Sequence, residues 1–321
     1  MRADAKNAAQ YLYVYNAGIP GTVGAVYDRY SIPGLVLKES SPADGVAGPP
    51  AFAASGLLNF IDEANNGGFA AYQQPIEKGT VNADELFYGI PCQSNSLAIG
   101  PNGDLFVSQY CSTNVFEYTP AAQTSTPKIP VATYTGGNLG KSGIINPTAV
   151  AVDPQGGLYV GDSAAGVTYF PKGSKKGQIA FPTFSGGAVN QMVVDGNGDI
   201  WSVHGPNSTA VYFSDKTTCA PNPSGKIVRN EYAERFSKGK LAQHLYTSTT
   251  DSKVFANNGI SIAIDSTGRI YTGNQNSDVP GIVLDFEPGT SCPNDFLSFR
   301  VAKGASPQVA VDAKGRYYVT D

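Results

Sequence analysis

Eight polar side chains stand at the ends of repeated strands in this sequence, where they can converge on a cation or a sugar. Four precede a strand and four follow one: Asn95, Asn146, Asn190 and Asn258, then Gln109, Asp162, Asn274 and Asp321. Amide and carboxylate oxygens suit calcium or another hard cation, and they can also hydrogen-bond a sugar or lactone. The structural alternative is that they cap turns and satisfy backbone groups at strand ends. Both interpretations stay open, with Asn146, Asn258 and Asp162 as candidate ligands of a divalent cation such as calcium.

His204 is the most reactive side chain near this set. It follows Trp201-Ser-Val and precedes Gly205-Pro-Asn, so it begins a loop beside the polar residues. Histidine titrates near neutral pH, which makes His204 a candidate catalytic base or metal ligand. A lone histidine in a loop is more often a surface residue. The sequence has no Gly-x-Ser-x-Gly elbow and no Cys/His nucleophile pair, so a covalent hydrolase mechanism has no support.

The elements that position these residues repeat along the chain at intervals of roughly 45 residues. Each copy has an aliphatic strand, a four-residue turn ending in glycine, and a second strand opened by an aromatic residue. The clear copies begin at Leu97, Val150, Met192, Ile262 and Val309. Most of the turns start with Asp, whose side chain can accept backbone N–H groups, while glycine takes positive φ at little cost. We therefore expect these aspartates to be structural.

Third strands are predicted after each aromatic strand, and a weaker fourth strand follows each one. The third strands lie at 114–118, 166–170, 210–213 and 281–286. A four-stranded sheet of this kind must stack on its neighbours, and closing the sheets in a ring protects their edges. The sequence thus predicts an all-β chain, a β-propeller of four-stranded blades forming a single domain over residues 1–321.

The number of blades follows from two weaker copies. Residues 50–72 form a degenerate blade, the hairpin at 11–30 has no preceding aliphatic strand, and the C-terminal repeat stops at 317–321 with no third strand, so each end supplies what the other lacks. Pairing of the N- and C-terminal strands gives six blades, and seven if the N-terminal hairpin is a blade of its own. The spacing between Trp201 and Tyr271 is about 25 residues too long, so an insertion is predicted at about 220–256. Its segment 231–236 is compatible with a helical turn, but Gly239 and the β-branched run near Thr247 favour a long loop or hairpin.

Composition excludes several classes of partner. Charged residues make up 15% of the chain, and the formal net charge is −4, so neither nucleic acid nor an anionic lipid surface is an expected partner. No run of about 18 apolar residues predicts a membrane span. The turn-rich composition is typical of an exported β protein, so we predict a secreted or periplasmic monomer whose leader was removed before this numbering begins.

The four cysteines are an even number in a chain with the composition of an exported protein. Cys92 lies just before the first strand of its repeat and Cys111 just after the second, so an antiparallel hairpin places both at the same edge. A Cys92–Cys111 disulfide is therefore predicted. Cys219 and Cys292 occupy similar places in successive repeats, and free or buried thiols remain the alternative for all four.

The phrase Pro147-Thr-Ala-Val-Ala-Val-Asp-Pro-Gln-Gly-Gly-Leu-Tyr-Val-Gly-Asp162 resembles an NHL-type propeller repeat. The segment from Asn257 to Asn274 is also similar to gluconolactonase-like propellers, in which an Asn before a Gly binds a divalent metal. That resemblance implies Asn258 as a ligand. Streptogramin-lyase relatives use a His with nearby Glu residues around a metal, but neither His204 nor His244 stands in such a motif.

Two hypotheses of function follow. The first is a binding or interaction module that recognises a protein, a glycan or a small molecule through loops on one face. The second is a metal-dependent lactonase or lyase with its site at the mouth of the central channel. An enzyme is expected to place a perturbed carboxylate or histidine beside the metal, and the incomplete acidic and histidine set favours the first hypothesis.

Overall fold

The strands form antiparallel sheets in chain order, as the repeats predict. The computed structural model describes residues 10–16, 26–32, 36–42, 46–52, 58–62, 68–72, 85–87, 94–109, 113–125, 129–135, 146–163, 166–181, 188–205, 210–213, 224, 227–248, 258–275, 282–290, 307–312 and 314–320. None of the described helices is long and apolar enough to cross a membrane.

An N-terminal sheet and two four-stranded sheets cover the first part of the chain. The N-terminal sheet contains β1 (Gln10–Asn16), β2 (Val26–Ile32) and β3 (Val36–Pro42). Sheet 1 contains β4 (Val46–Phe52), β5 (Leu58–Asp62), β6 (Gly68–Tyr72) and β7 (Glu85–Phe87). Sheet 2 contains β8 (Ser94–Ile99), β9 (Leu105–Gln109), β10 (Asn114–Tyr118) and β11 (Ala132–Thr135), with helix α1 (Pro120–Thr124) between its last two strands. The predicted N-terminal hairpin and degenerate blade are confirmed as sheets.

Four further sheets follow. Sheet 3 contains β12 (Pro147–Val152), β13 (Leu158–Asp162), β14 (Val167–Phe170) and β15 (Gln178–Phe181). Sheet 4 contains β16 (Val189–Val194), β17 (Ile200–His204), β18 (Ala210–Phe213), β19 (Ile227–Ser237) and β20 (Lys240–Ser248). Sheet 5 contains β21 (Asn258–Ile264), β22 (Ile270–Gln275) and β23 (Ile282–Phe286), and sheet 6 contains β24 (Gln308–Val311) and β25 (Tyr317–Thr320).

The first strands of sheets 1 to 6 lie next to one another in chain order, which is the arrangement of inner strands in a propeller. Apolar side chains fill the space between successive sheets. Phe170 packs between sheets 2 and 3, Phe236 between sheets 3 and 4, and Phe286 between sheets 4 and 5, and each is at most 1% exposed. Burying one such side chain contributes about 1.5–3 kcal/mol, so the core consists of a series of interfaces between neighbouring sheets.

The turns between first and second strands confirm the structural interpretation of the repeated aspartates. In each turn the Asp Oδ1 accepts the backbone N–H groups two and four residues later, at 2.7–3.0 Å, for Asp153, Asp195, Asp265 and Asp312. The glycine three residues after the aspartate has a φ between 75° and 88°. Although burial raises the pKa of Asp312, hydrogen bonds from Arg316 and Lys314 hold it below its ordinary value of 3.8.

Sheet 4 differs from the sequence prediction. The segment Ala210–Phe213 was expected to be the third strand, but β17 pairs with β19, through Ile200↔Phe236 to Val203↔Ala233. Strand β18 instead pairs with Ile227–Asn230, the first part of β19. The predicted insertion therefore supplies the outer strands β19 and β20 of this sheet, which form a hairpin with Gly239 in its turn; the favoured hairpin is confirmed, and 231–236 is not a helical turn.

Candidate functional site

The second strands of sheets 2 to 5 end at one face, which we call the upper face, with a polar side chain at or near the end of each. These side chains are Gln109, Asp162, His204 and Asn274, and each is at most 2% exposed. The predicted set thus occupies equivalent positions but is buried. Asn95 and Asn258 lie in strands of which only the backbone is described there, and Asp321, Cys92 and Cys111 lie outside the described residues.

The two metal candidates of sheet 3 lie together at its upper end. The Asn146 N–H donates to Asp162 Oδ2 at 2.7 Å, and the Asn146 carbonyl accepts the Ser163 N–H at 3.0 Å. Asn146 Oδ1 is buried, and no donor among the described residues reaches it. Asn258, the third candidate, begins β21 two inner strands further along. The structure therefore brings together Asn146 and Asp162.

Polar residues near the starts of the inner strands bind the backbone of the next inner strand. Ser96 Oγ accepts the Val150 N–H at 3.1 Å, and Gln191 Oε1 accepts the Ile262 N–H at 2.9 Å. In two further bonds of this kind the side chain donates to a backbone carbonyl: Asn190 Nδ2 to Gly259 at 2.6 Å and Ser261 Oγ to Pro307 at 2.9 Å. Asn190, one of the predicted site residues, thus forms a hydrogen bond that joins sheets 4 and 5.

His204 is paired with a carboxylate that the sequence did not indicate. His204 Nε2 lies 2.6 Å from Glu234 Oε1, and Ser202 Oγ donates to Glu234 Oε2 at 2.8 Å. All three side chains are 0% exposed. His204 and Ser202 alternate along β17 and so share one side of the sheet, and Ser202 faces Glu234 of β19 in the ladder.

Both ring nitrogens of His204 have an oxygen partner. His204 Nδ1 contacts the Gly205 carbonyl oxygen, which can only accept, so Nδ1 carries a proton. His204 Nε2 and Glu234 Oε1 are at hydrogen-bond distance. Because Ser202 donates to the carboxylate and not to the imidazole, the three groups are not arranged as a serine nucleophile and its base. The buried pair joins β17 to β19.

His244 lies on the other side of Glu234. It is the ladder partner of Glu234 on β20, and its ring meets Phe181 of sheet 3 edge to face, with centroids 5.8 Å apart. Both histidines of the chain therefore flank one carboxylate. In the described part of the chain no group of three His, Cys, Asp or Glu side chains has the geometry of a metal site.

Only part of this arrangement was accessible from the sequence. The sequence singled out His204 but placed it at the beginning of a loop, whereas it is the last residue of β17. Glu234 lies 30 residues after His204, and nothing in the local pattern identified it as the partner.

Comparisons with known proteins bear on the fold. No protein-family model matches the chain, and no curated protein matches it. Among solved structures, a β-propeller chain in the crystal structure of the mitotic checkpoint complex is similar, with a TM-score of 0.52 and 14% sequence identity, over 82% of this chain and 67% of that chain. At this level of identity the likeness concerns the fold alone, and it supports a propeller-like fold for this chain.

Proposed function

We propose that the chain is a β-propeller binding module that recognises a partner protein at its upper face. In this proposal residues 1–321 form one NHL-like domain of six blades, closed by the terminal strands, which acts as a secreted or periplasmic monomer. Propeller-like folds commonly serve as interaction modules, and the solved relative is a component of a protein complex.

The observation that carries this proposal is an extension of sheet 4 beyond the end of β17. Strand β19 has 11 residues, and only Ala233–Phe236 pair with β17. The preceding part of β19 pairs with β18 on one side and with the end of β20 on the other. We call the strand segments 210–213, 227–232 and 246–248 the projection. It continues the sheet past His204, at the upper face, and adds backbone surface to the loops there.

The polar side chains of the upper face favour a binding role for the chain over a catalytic one, because their hydrogen bonds hold strands and sheets together. The Asp162 carboxylate accepts the Asn146 N–H, Asn190 donates to Gly259, and His204 is buried against Glu234. A group that must meet a substrate has to be reachable, and His204 is 0% exposed.

A variant without the projection tests the proposal. Replacing residues 206–230 by Asn-Gly would connect β17 to the lower part of β19 through a short hairpin turn. The fluorescence of Trp201, the only tryptophan, checks that this variant is folded. We expect a partner isolated on the intact chain, once purified, to bind that chain in calorimetry and to bind the variant at least about tenfold more weakly. Equal binding to both forms would exclude the projection as the recognition surface.

The alternative, a metal-dependent lactonase or lyase, rests on Asn146 and Asp162. Asn146 Oδ1 has no described donor, and the Asn146 backbone N–H donates to the Asp162 carboxylate, so the oxygens of these two side chains are candidates for part of a calcium shell. Calcium takes about six to eight oxygens, so this pair covers part of one. Protein purified without chelator would be assayed for metal, for melting temperature with and without EDTA, and for lactone hydrolysis. Stoichiometric metal with a lower melting temperature in EDTA would support this alternative, and the opposite result would remove it.

A further inference from the structure

Five exposed lysines lie on two neighbouring turns at the face opposite the projection, which we call the lower face. The lysine cluster consists of Lys172, Lys175, Lys176, Lys238 and Lys240. The first three lie in or beside the turn between β14 and β15 of sheet 3. The other two flank Gly239 in the turn between β19 and β20 of sheet 4.

The turn that carries Lys238 and Lys240 packs against strands β13 and β14 of sheet 3, and β14 leads into the turn that carries the other three lysines. The Gly239 N–H donates to Tyr159 Oη at 2.7 Å, and a Cβ on Gly239 would lie 2.3 Å from the ring of Tyr169. Tyr169 is also the ladder partner of Gln178, which follows the lysine-bearing turn of sheet 3. Burial raises the pKa of Tyr159 to about 12, so this phenol brings no negative charge to the cluster at neutral pH.

The carboxylates of the neighbouring turns, Asp153, Asp195 and Asp199, are fewer than the six cations formed by the five lysines and Arg235. Asp153 is 3% exposed and accepts two backbone N–H groups of its own turn. Asp199 lies 3.4 Å from the guanidinium of Arg235. No described carboxylate forms an ion pair with any of the five lysines. The lower face at sheets 3 and 4 is therefore positive in a chain whose net charge is −4.

Lys238 has an unfavourable backbone conformation. Its φ is 49°, and it is the only described residue other than glycine with a positive φ. With Gly239 at φ 77° it forms the two-residue turn between Ser237 and Lys240, a position in which Asn or Gly is favoured. Strained residues of this kind cluster at functional sites. A lysine at a position that favours Asn or Gly therefore indicates a role for its side chain.

Strand β15 offers an open edge next to the cluster. It is the last strand of sheet 3, and none of the described strands pairs with its outer edge. Gln178 and Ile179 are exposed at the end nearest the lysines, and Ile179 is 48% exposed. An added strand can take backbone hydrogen bonds from such an edge and place alternate side chains against it.

We propose that the lower face binds an extended acidic segment of a partner protein. The segment pairs with the outer edge of β15, places an apolar side chain on Ile179 and directs its carboxylates to the lysine cluster. Charge complementarity selects this occupant, because five exposed lysines without described ion-pair partners lie in the two lower turns of sheets 3 and 4, and one of those turns leads into β15. This surface is separate from the projection, so the inference goes beyond the proposed function.

The test uses the full chain and a short fluorescent peptide that alternates Glu with Val. We expect it to bind more tightly than the same peptide with Gln in place of Glu, and binding to weaken as salt rises. Replacing all five lysines by Gln should weaken binding at least about tenfold, whereas Lys314→Gln, which changes an exposed lysine in the turn between β24 and β25 of sheet 6, should not change it. Hydrogen exchange at Gln178–Phe181 should slow when the peptide binds.

The variant Lys238→Asn separates the role of the side chain from that of the backbone. Asn suits the turn, so this variant should unfold at a higher urea concentration than the parent while binding the peptide more weakly. Equal peptide binding by the parent and the five-lysine variant would overturn the proposal, as would unchanged exchange in β15. Tighter binding of duplex DNA or anionic vesicles at this face would overturn it in favour of another partner. The chain without the projection should bind the peptide normally, which distinguishes this test from that of the proposed function.

Discussion

Removing the carboxylate of Glu234 should destabilise sheet 4 strongly. In Glu234→Ala, His204 Nε2 and Ser202 Oγ lose the acceptor that lies 2.6 and 2.8 Å away, at a site that is 0% exposed. Breaking a buried pair by removing one partner costs about 3–5 kcal/mol, which is a large share of the roughly 5–15 kcal/mol that stabilises a typical domain. The cost arises because the remaining polar groups cannot reach water.

Glu234→Gln is the matched control, because it keeps the volume and can keep all three contacts. Its amide N–H can donate to Nε2 of a neutral imidazole while Ser202 donates to its carbonyl oxygen, and Nδ1 still donates to Gly205. We expect this variant to lose no more than about 1.5 kcal/mol. A loss as large as that of Glu234→Ala would mean that charge, and not hydrogen bonding, holds the pair.

Urea unfolding, monitored by the fluorescence of Trp201 in sheet 4, measures the free energy of unfolding of these variants. Trp201 is 5% exposed and lies on β17 between Ile200 and Ser202. A double-mutant cycle with His204→Ala and Glu234→Ala isolates the interaction between the two side chains. We expect the double variant to be less destabilised than the sum of the single variants by about 2–3 kcal/mol. Additive losses would refute the argument that the pair is a single structural unit.

Three other predictions concern turns, close contacts and the cysteines. Hydrogen bonds lower the pKa of Asp312, so its stabilisation is complete above about pH 4 and is lost as the pH falls through the lowered pKa. Asp312→Asn should therefore lose less stability than the parent between about pH 6 and pH 2 in urea titrations. A Cβ on Gly273 would lie 2.1 Å from the Pro307 carbonyl oxygen, so Gly273→Ala should cost about 1–3 kcal/mol in thermal unfolding, while Gly196→Ala, with no atom within 4 Å, should be nearly neutral. The ladder of β8 and β9 ends at Ser94↔Gln109, each two residues from a cysteine, so peptide mapping without reductant should recover Cys92 linked to Cys111, and free thiols at both would contradict this.

The strands and turns of the repeats could be predicted because their determinants are local. Asp at the start of a turn, Gly three residues later and an aromatic residue after it lie within one short segment, and the four aspartates bind the backbone as expected. The stacking of the sheets follows from the same pattern, because each sheet is apolar on the sides that meet its neighbours.

The pairing within sheet 4 could not be predicted in this way. Ala210–Phe213 has the composition and the position of a third strand, but β17 pairs with residues of β19 that follow a long intervening segment. Glu234 was missed for the same reason, since its partner is on another strand. The lysine cluster was hidden by the negative net charge, and it becomes visible when two turns of adjacent sheets are placed side by side.

The bonds between successive inner strands have a consequence for how such a chain can evolve. In each of them a side chain of one sheet meets a backbone atom of the next: the Val150 N–H, the Ile262 N–H, the Gly259 carbonyl or the Pro307 carbonyl. These bonds therefore use backbone N–H and C=O groups of the next sheet, and every residue has both groups except proline, which lacks the N–H. A duplicated repeat can dock on its parent copy without first acquiring a compatible surface, and the copies can then diverge while the junction persists. Gene duplication can lengthen such a row of sheets one unit at a time.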